Sequence, residues 1–530
     1  MARQLFPLLA GAALAMLSVT ARAADDDAGG IGRFDINGFK VEGNTLLPQP
    51  AIDQAVTPYV GKRRDFGDVQ KALESLEQVY HRLGYNVVVV TLPEQELDKG
   101  VVTLRVVETR LGKLKVEGNQ YFSEANIRRS LPMLREGATP NIGKASSSLK
   151  LANENPAKKV ALQLQSGAND DEVDATLKVT DEKPWKIGAA VDNTGTSSTG
   201  KSHLTVQYQH ANIADLDHVL SLQYTTTIEK PSQVSVYGAG YHIPLYSLGD
   251  SIDVFASYSD VDSGSVSAGI FDLLVSGRGT IAGARYNQNL RRIGDYESKL
   301  IYGVDYRAYQ NNVTLAGVQL GNDVTVHPLS VAYAGLLGMP GGEASFSVTA
   351  MHNVAGGSRG GAADFTRVRS GARADYNLLR YTAGYTRLLP QDWQLRLNLS
   401  GQLSNDALVP GEQFGAGGAS SVRGFQERDI SSDSGYLVNA EVYTPNVCGA
   451  MERFAMQCRA LAFYDSAYVS RNKALPGEQA SASIGSVGVG MRVNADKYLA
   501  LQLDVGHVVD GGVTQAKGDN RMHFRLSLSY

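Results

Sequence analysis

The chain closes on HFRLSLSY, residues 523–530, and the reading of this stretch decides the fold. Phe524, Leu526, Leu528 and Tyr530 share one face of an extended strand, while His523, Arg525, Ser527 and Ser529 share the other. Successive side chains of a strand point to opposite sides, so the segment is greasy outside and polar inside, or the reverse. The pattern recurs upstream. In WQLRLNLSG, 393–401, Trp393, Leu395, Leu397 and Leu399 oppose Gln394, Arg396, Asn398 and Ser400. In YLALQLDVG, 498–506, Leu499, Leu501, Leu503 and Val505 oppose Ala500, Gln502, Asp504 and Gly506. Asp504 and His507 read as polar groups of a wet interior.

A soluble sandwich also alternates. The connections favour lipid: short turns such as LYSLGD (245–250), RRIGD (291–295), LLPQD (388–392) and NADK (494–497) alternate with longer Gly/Ser-rich loops. Outer-membrane barrels join their strands in this way, with short periplasmic turns and long external loops. From Pro184 onward the period is 2, and the strands number about sixteen, an even count as bacterial barrels require. An even count returns the chain to its starting side, where the aromatic Tyr530 ends a strand suited to recognition by the barrel assembly machinery. A barrel of this size is wide enough for an aqueous channel.

Export is written at the other end. MARQLFPLLAGAALAMLSVTARA, residues 1–23, has Arg3, an apolar run from Leu5 to Val19 and an Ala21-Arg22-Ala23 cleavage site, the marks of a secretory signal peptide. No later apolar run reaches the ~20 residues of a transmembrane helix, so a membrane span here has to be a barrel. A net charge of −4 gives no electrostatic reason for a nucleic-acid partner. The two cysteines, Cys448 and Cys458, bracket a periplasmic turn, where an oxidising compartment favours a disulfide. No histidine lies at metal-ligand spacing from them, and neither a metal nor another cofactor is expected.

Between signal and barrel, KVEGN occurs twice, at 40–44 and 115–119. After the first copy, Val69, Leu73, Leu76, Tyr80 and Leu83 keep helical spacing and Gly84 is placed to end the helix. Strand-like YNVVVVTLP and GVVTLRVVE follow. After the second copy, Ser123 is a helix N-cap candidate ahead of Ile127 and Leu131, and KVALQLQS and EVDATLKVTD read as strands. The order strand–helix–helix–strand–strand thus appears twice, giving two small α+β domains at 34–108 and 109–183 whose sheet edges are able to pair with an extended peptide.

One motif is refused. GTSSTGKS, 195–202, matches the P-loop pattern letter for letter. Phosphate binding needs a helix after the loop, and HLTVQYQHA alternates as a strand instead, so the loop reads as a hairpin tip. No H-E-x-x-H is present and no G-x-S-x-G elbow has an α/β context; an enzyme is not expected.

The remaining stretch is Ser420-Ser421-Val422-Arg423-Gly424-Phe425, after the glycine-rich GEQFGAGGAS, in a long external loop at about 405–435. Together with FYDSAYV at 463–469, DNTGTSSTG at 192–200 and NENPAKKVALQLQSG in the second small domain, VRGF makes the whole mature chain resemble the two-partner secretion transporters (TpsB). These export haemolysins and filamentous-haemagglutinin-like adhesins. The resemblance implies α+β periplasmic POTRA domains followed by an all-β transmembrane barrel of about sixteen antiparallel strands at 184–530. It places the chain in the Gram-negative outer membrane, in contact with its lipid. The partner it implies is a large secreted exoprotein of the TpsA type, unfolded and exported without ATP.

The resemblance also implies an inward-folded loop latched by Val422, Arg423, Gly424 and Phe425, with Arg423 paired to Asp465. A guanidinium offers a rigid fork to a carboxylate, and Gly415, Gly417, Gly418 and Gly424 permit tight turns. Two departures stand out. Ala467 replaces the usual glycine, and 25–33 is too short for the barrel-plugging helix of some members. The alternative is an insertase or assembly factor with the same loop, though two POTRA units suit the secretion branch better. A diffusion porin leaves the repeated domains without a purpose.

Overall fold

In the computed structural model, the described residues are 33–96, 98–261, 265–268, 273–276, 278–310, 314–315, 318–319, 322–449 and 456–530. The signal segment expected at 1–23 lies outside them. The chain divides into two compact units between Thr109 and Arg110.

In the first unit, Gly38–Glu42 runs parallel to Val101–Glu108, which pairs antiparallel with Val88–Thr91. Helices Gln49–Val56 and Phe66–Arg82 cover this sheet. Val69, Ala72, Leu76 and Tyr80 form the buried stripe of the longer helix, which starts at a reciprocal cap between Asp65 and Asp68. Leu83, which continues the helical spacing, is exposed at the helix C-cap, and Gly84 follows with φ +93°.

The repeated pentapeptide has a physical cause. Gly43 and Gly118 both take positive φ, +85° and +89°, and a Cβ on either would strike a strand carbonyl, Val106 or Val179. The following loop is then held by a carboxylate: Glu108 accepts the Thr45 and Leu46 N–H groups, and Asp181 accepts those of Gln120, Tyr121 and Phe122. Asn44 and Asn119 close the same turn, bonding the carbonyls of Leu47 and Phe122.

The second unit opens with the matching sheet, Arg110–Glu117 parallel to Glu172–Asp181 and Lys158–Ser166 antiparallel to it. Ser123 caps helix Glu124–Arg129 by accepting the Asn126 N–H at 3.0 Å. This sheet is seated on the first two turns of the barrel. Lys158 and Asp217 form an ion pair that is all but inaccessible to solvent. The Tyr246 hydroxyl donates to Asp217 at 2.6 Å, and Asn126 accepts from Lys158 at 2.9 Å. Burial pushes the Lys158 ammonium below the usual lysine range, against the pull of Asp217.

Among the described residues, sixteen antiparallel strands close the barrel, from Trp185–Asp192 to Asn520–Ser529, which pair with each other. Val324–Val326 and Pro328–Met339 count as one strand interrupted at His327. Alternation holds in three dimensions: Val487, Val489 and Met491 of Ser481–Ala495 are exposed on the outside, while Ser486 faces in. Lumen parity does not extend to His507. It shares the outer face with Val505 and bonds Asn520 at the rim, so its polar character does not reflect a wet interior.

The expected contrast of short turns and long loops is also uneven. The external loop 228–233 is brief, whereas on the periplasmic side, beside the Cys448–Cys458 disulfide, residues 444–455 separate Ser434–Tyr443 from Met456–Ser470. GTSSTGKS sits between Trp185–Asp192 and His203–Ile213, with a strand after it and no helix.

Two outcomes check this architecture. Val489→Arg puts a cation on the lipid face near mid-strand and costs about 2–4 kcal/mol, read as an earlier urea midpoint in lipid vesicles. Lys158→Ala strands a buried carboxylate and costs about 3–5 kcal/mol, read as earlier thermal unfolding of the full-length protein.

Candidate functional site

The loop between Gln394–Leu403 and Ser434–Tyr443 turns into the lumen. Its course follows from its glycines. Gly417 and Gly418 both lie at φ +113° and Gly424 at +97°, while Gly415 needs no such backbone. Val422 and Phe425 are fully buried with Ala416, Ile430, Ala467, Val469, Ile484 and Val508. Phe425 therefore packs the tip against the barrel wall. Ala467, which stands where glycine is usual, is itself fully buried in this contact.

Arg423 is 3% exposed and Asp465 is 0%. The guanidinium grips the carboxylate in a fork, Nε to Oδ2 at 2.7 Å and Nη2 to Oδ1 at 2.8 Å. The Arg423 backbone N–H donates to the same carboxylate at 3.1 Å, and Asn439 Nδ2 adds a bond at 2.8 Å. Nη1 faces Glu441 at 2.7 Å and Asp504 at 3.5 Å. The flat face of the guanidinium lies over the Phe463 ring, 3.6 Å from its centroid. Three carboxylates around one arginine would repel each other. Arg492, 3.0 Å from Asp504, and the Tyr443 hydroxyl, 2.8 Å from Glu441, relieve that excess.

Four strands thus supply the seat: Glu441 from Ser434–Tyr443, Phe463 and Asp465 from Met456–Ser470, Asp504 from Leu499–Asp510, and His523 from Asn520–Ser529. His523 Nε2 accepts the Gly424 N–H at 3.0 Å. Gly506 leaves the space the tip needs, since a Cβ there would come within 2.8 Å of the Gly424 nitrogen. The sequence expectation joins Arg423 with Asp465 alone. It leaves out Glu441 and His523, and it reads Asp504 as ordinary lumen polarity. Their common signal is parity, for all lie on the polar face of strands next to or near that of Asp465.

Cys448 and Cys458 form a disulfide with a Cα separation of 5.2 Å. Asn446 Oδ1 accepts the N–H of both, at 3.2 and 2.8 Å, which closes the base of the turn. Among the described residues no group of His, Cys, Asp and Glu is arranged to hold a metal.

Comparison with known proteins agrees with this geometry. The description "Haemolysin secretion/activation protein ShlB/FhaC/HecB" matches residues 171–493, and "POTRA domain, ShlB-type" matches 34–109. The heme/hemopexin transporter protein HuxB of Haemophilus influenzae is 22% identical over 89% of this chain and 82% of its own. The outer membrane transporter CdiB of Dickeya dadantii is 24% identical with the same coverage. In fold, CdiB from Escherichia coli superposes with a TM-score of 0.73 at 19% identity, over 96% of this chain and 93% of that one. With the family description spanning more than half of its length, the chain belongs to the ShlB/FhaC/HecB family of haemolysin secretion/activation proteins.

Proposed function

We propose that the loop carrying Arg423 is the latch of an export channel, and that the two small domains are the docking platform for its cargo. The chain itself is an outer-membrane protein transporter of the two-partner secretion type, with its POTRA region in the periplasm. The family match favours a translocation pore over an insertase, and the family is one of transporters rather than enzymes. One observation carries the latch reading: a cation shared by three carboxylates from three strands, buried at the tip of a loop inside the pore.

The sequence of events follows from these parts. An unfolded exoprotein of the TpsA type reaches the periplasm, and its N-terminal region pairs with a sheet edge within 34–183. Relatives named for hemopexin transport and for CdiB fit a large secreted protein as that partner. The tip then leaves Asp465, and the cargo threads outward. Folding at the surface biases the direction, so no nucleotide is required. Lipid contacts the outer face of the barrel, and the last strand with Tyr530 is the address for the barrel assembly machinery.

Arg423→Ala leaves Asp465 buried without its partner, a loss of about 3–5 kcal/mol of loop seating. Secretion of the partner protein falls sharply, while the barrel still shows heat-modifiable migration on a gel. Normal secretion by this variant removes the latch. Deleting 34–108 abolishes secretion and also binding of the partner's N-terminal fragment; retained binding removes the docking role of the first domain.

A further inference from the structure

The tip is one end of the loop's hold on the barrel, and a second hold lies at its other end. Glu412, ahead of the glycines, is 0% exposed. Arg307 Nη1 donates to both of its carboxylate oxygens, at 2.9 and 3.0 Å, and the Tyr309 hydroxyl donates at 2.7 Å. Arg380 stands 3.6 Å away, and Gln402 Nε2 bonds the Glu412 carbonyl at 2.9 Å. Arg307 is itself positioned by Asp305, at 2.7 Å. This carboxylate is further gripped by Arg285, at 2.6 and 3.0 Å.

The two holds lie on separate arcs of the wall. Arg307 lies on Tyr296–Gln310, the seventh strand of the ring, and Asp465 on Met456–Ser470, the thirteenth. Arg380 and Gln402, which also contact Glu412, lie on the tenth and eleventh strands, and Glu441 and Asp504 on the twelfth and fifteenth. Between Glu412 and Arg423 the chain runs through Phe414–Ala416, paired with Ile430–Ser432, and then turns at Gly417 and Gly418 towards the tip. The loop therefore offers an anion to one arc of the wall and a cation to another. Each arc presents the complementary charge on inward-facing positions.

We infer that Glu412, held by Arg307 and Tyr309, is a second anchor of the closed pore, and that the loop is secured at two separate places on the wall rather than as a flap pinned at its tip. The inference rests on the reading that this loop occludes the channel. In it, Arg307 is a positioning residue: it acts on the cargo path only through Glu412. Release of either end opens part of the cross-section, and the end that remains bound keeps the loop within the lumen.

The test uses the full-length protein in planar lipid bilayers, with heat-modifiable gel migration as the record of a folded barrel. Glu412→Gln and Arg307→Gln raise mean conductance several-fold over the parent. Arg307→Lys, which keeps the cation, returns it towards the parental value. Arg292→Gln, in an exposed ion pair with Asp295 in the periplasmic turn RRIGD, leaves it unchanged. Parental conductance in folded Glu412→Gln, alongside raised conductance in Arg423→Ala, overturns the second anchor and leaves the latch standing. Parental conductance in both variants overturns both. Where Glu412→Gln does not fold, Tyr309→Phe removes one hydrogen bond and no charge; a smaller rise supports the anchor and no rise overturns it.

Discussion

A charged guanidinium taken out of water needs compensation on every side, and the seat of Arg423 is arranged around that need. Burying an ion costs several kcal/mol after relaxation, and attraction offsets this only where geometry is close and the remaining donors are satisfied. Here Asp465 meets two of the side-chain nitrogens and Glu441 the third. The Phe463 ring covers the face that has no hydrogen to donate. Such a site holds one residue in one place. A lysine would present a compact charge without the fork, and would leave one carboxylate oxygen or the aromatic face unmatched.

The barrel was legible in the sequence because its cause is one-dimensional. Lipid outside and polar groups inside impose a period of 2 on each strand, and Leu499 to Gly506 shows it without reference to any other strand. The small domains were legible for a similar reason: KVEGN encodes a turn whose glycine has no substitute. Register was not legible. Glu441, Asp504 and His523 are far apart in sequence, and only the pairing of five neighbouring strands, Ser434–Tyr443 to Asn520–Ser529, gathers them. His507 shows the limit from the other side. It is polar and close to Asp504, yet its odd-numbered position, shared with Val505, turns it to the outer face. The Arg307–Glu412 pair spans a separation of 105 residues and carries no local signal at all.

The seat is made on strands with little side chain of their own. Gly488 and Gly490 lie beside Phe463 and Asp504, and a Cβ at either would occupy the space those side chains fill. On the arc that holds Glu412, Gly283 leaves room in the same way for Phe255 and Asp305, with Arg285 over the Phe255 ring at 5.1 Å. Glycine is poor strand material, with more entropy to lose and nothing to pack. Its repeated use on both arcs shows that lateral room for a carboxylate and an aromatic ring outweighs local strand preference. This is a steric device that alternation alone does not disclose.

Ion pairs suit a gate of this kind better than apolar packing would. Apolar contact is non-directional, and a chain in transit, unfolded and exposing its own apolar side chains, would compete with it everywhere. A forked, charge-matched contact has one competitor class, a group able to replace either the carboxylate or the guanidinium. Phe425 and Val422 then exclude water around the pair, which strengthens the attraction while the tip is seated and removes that benefit once it leaves. On the latch proposal, this makes the loop a two-state element rather than a graded plug. On the same proposal, the polypeptide in the pore has to supply the free energy to unseat an end of the loop, and the forked geometry at Asp465 sets how large that is.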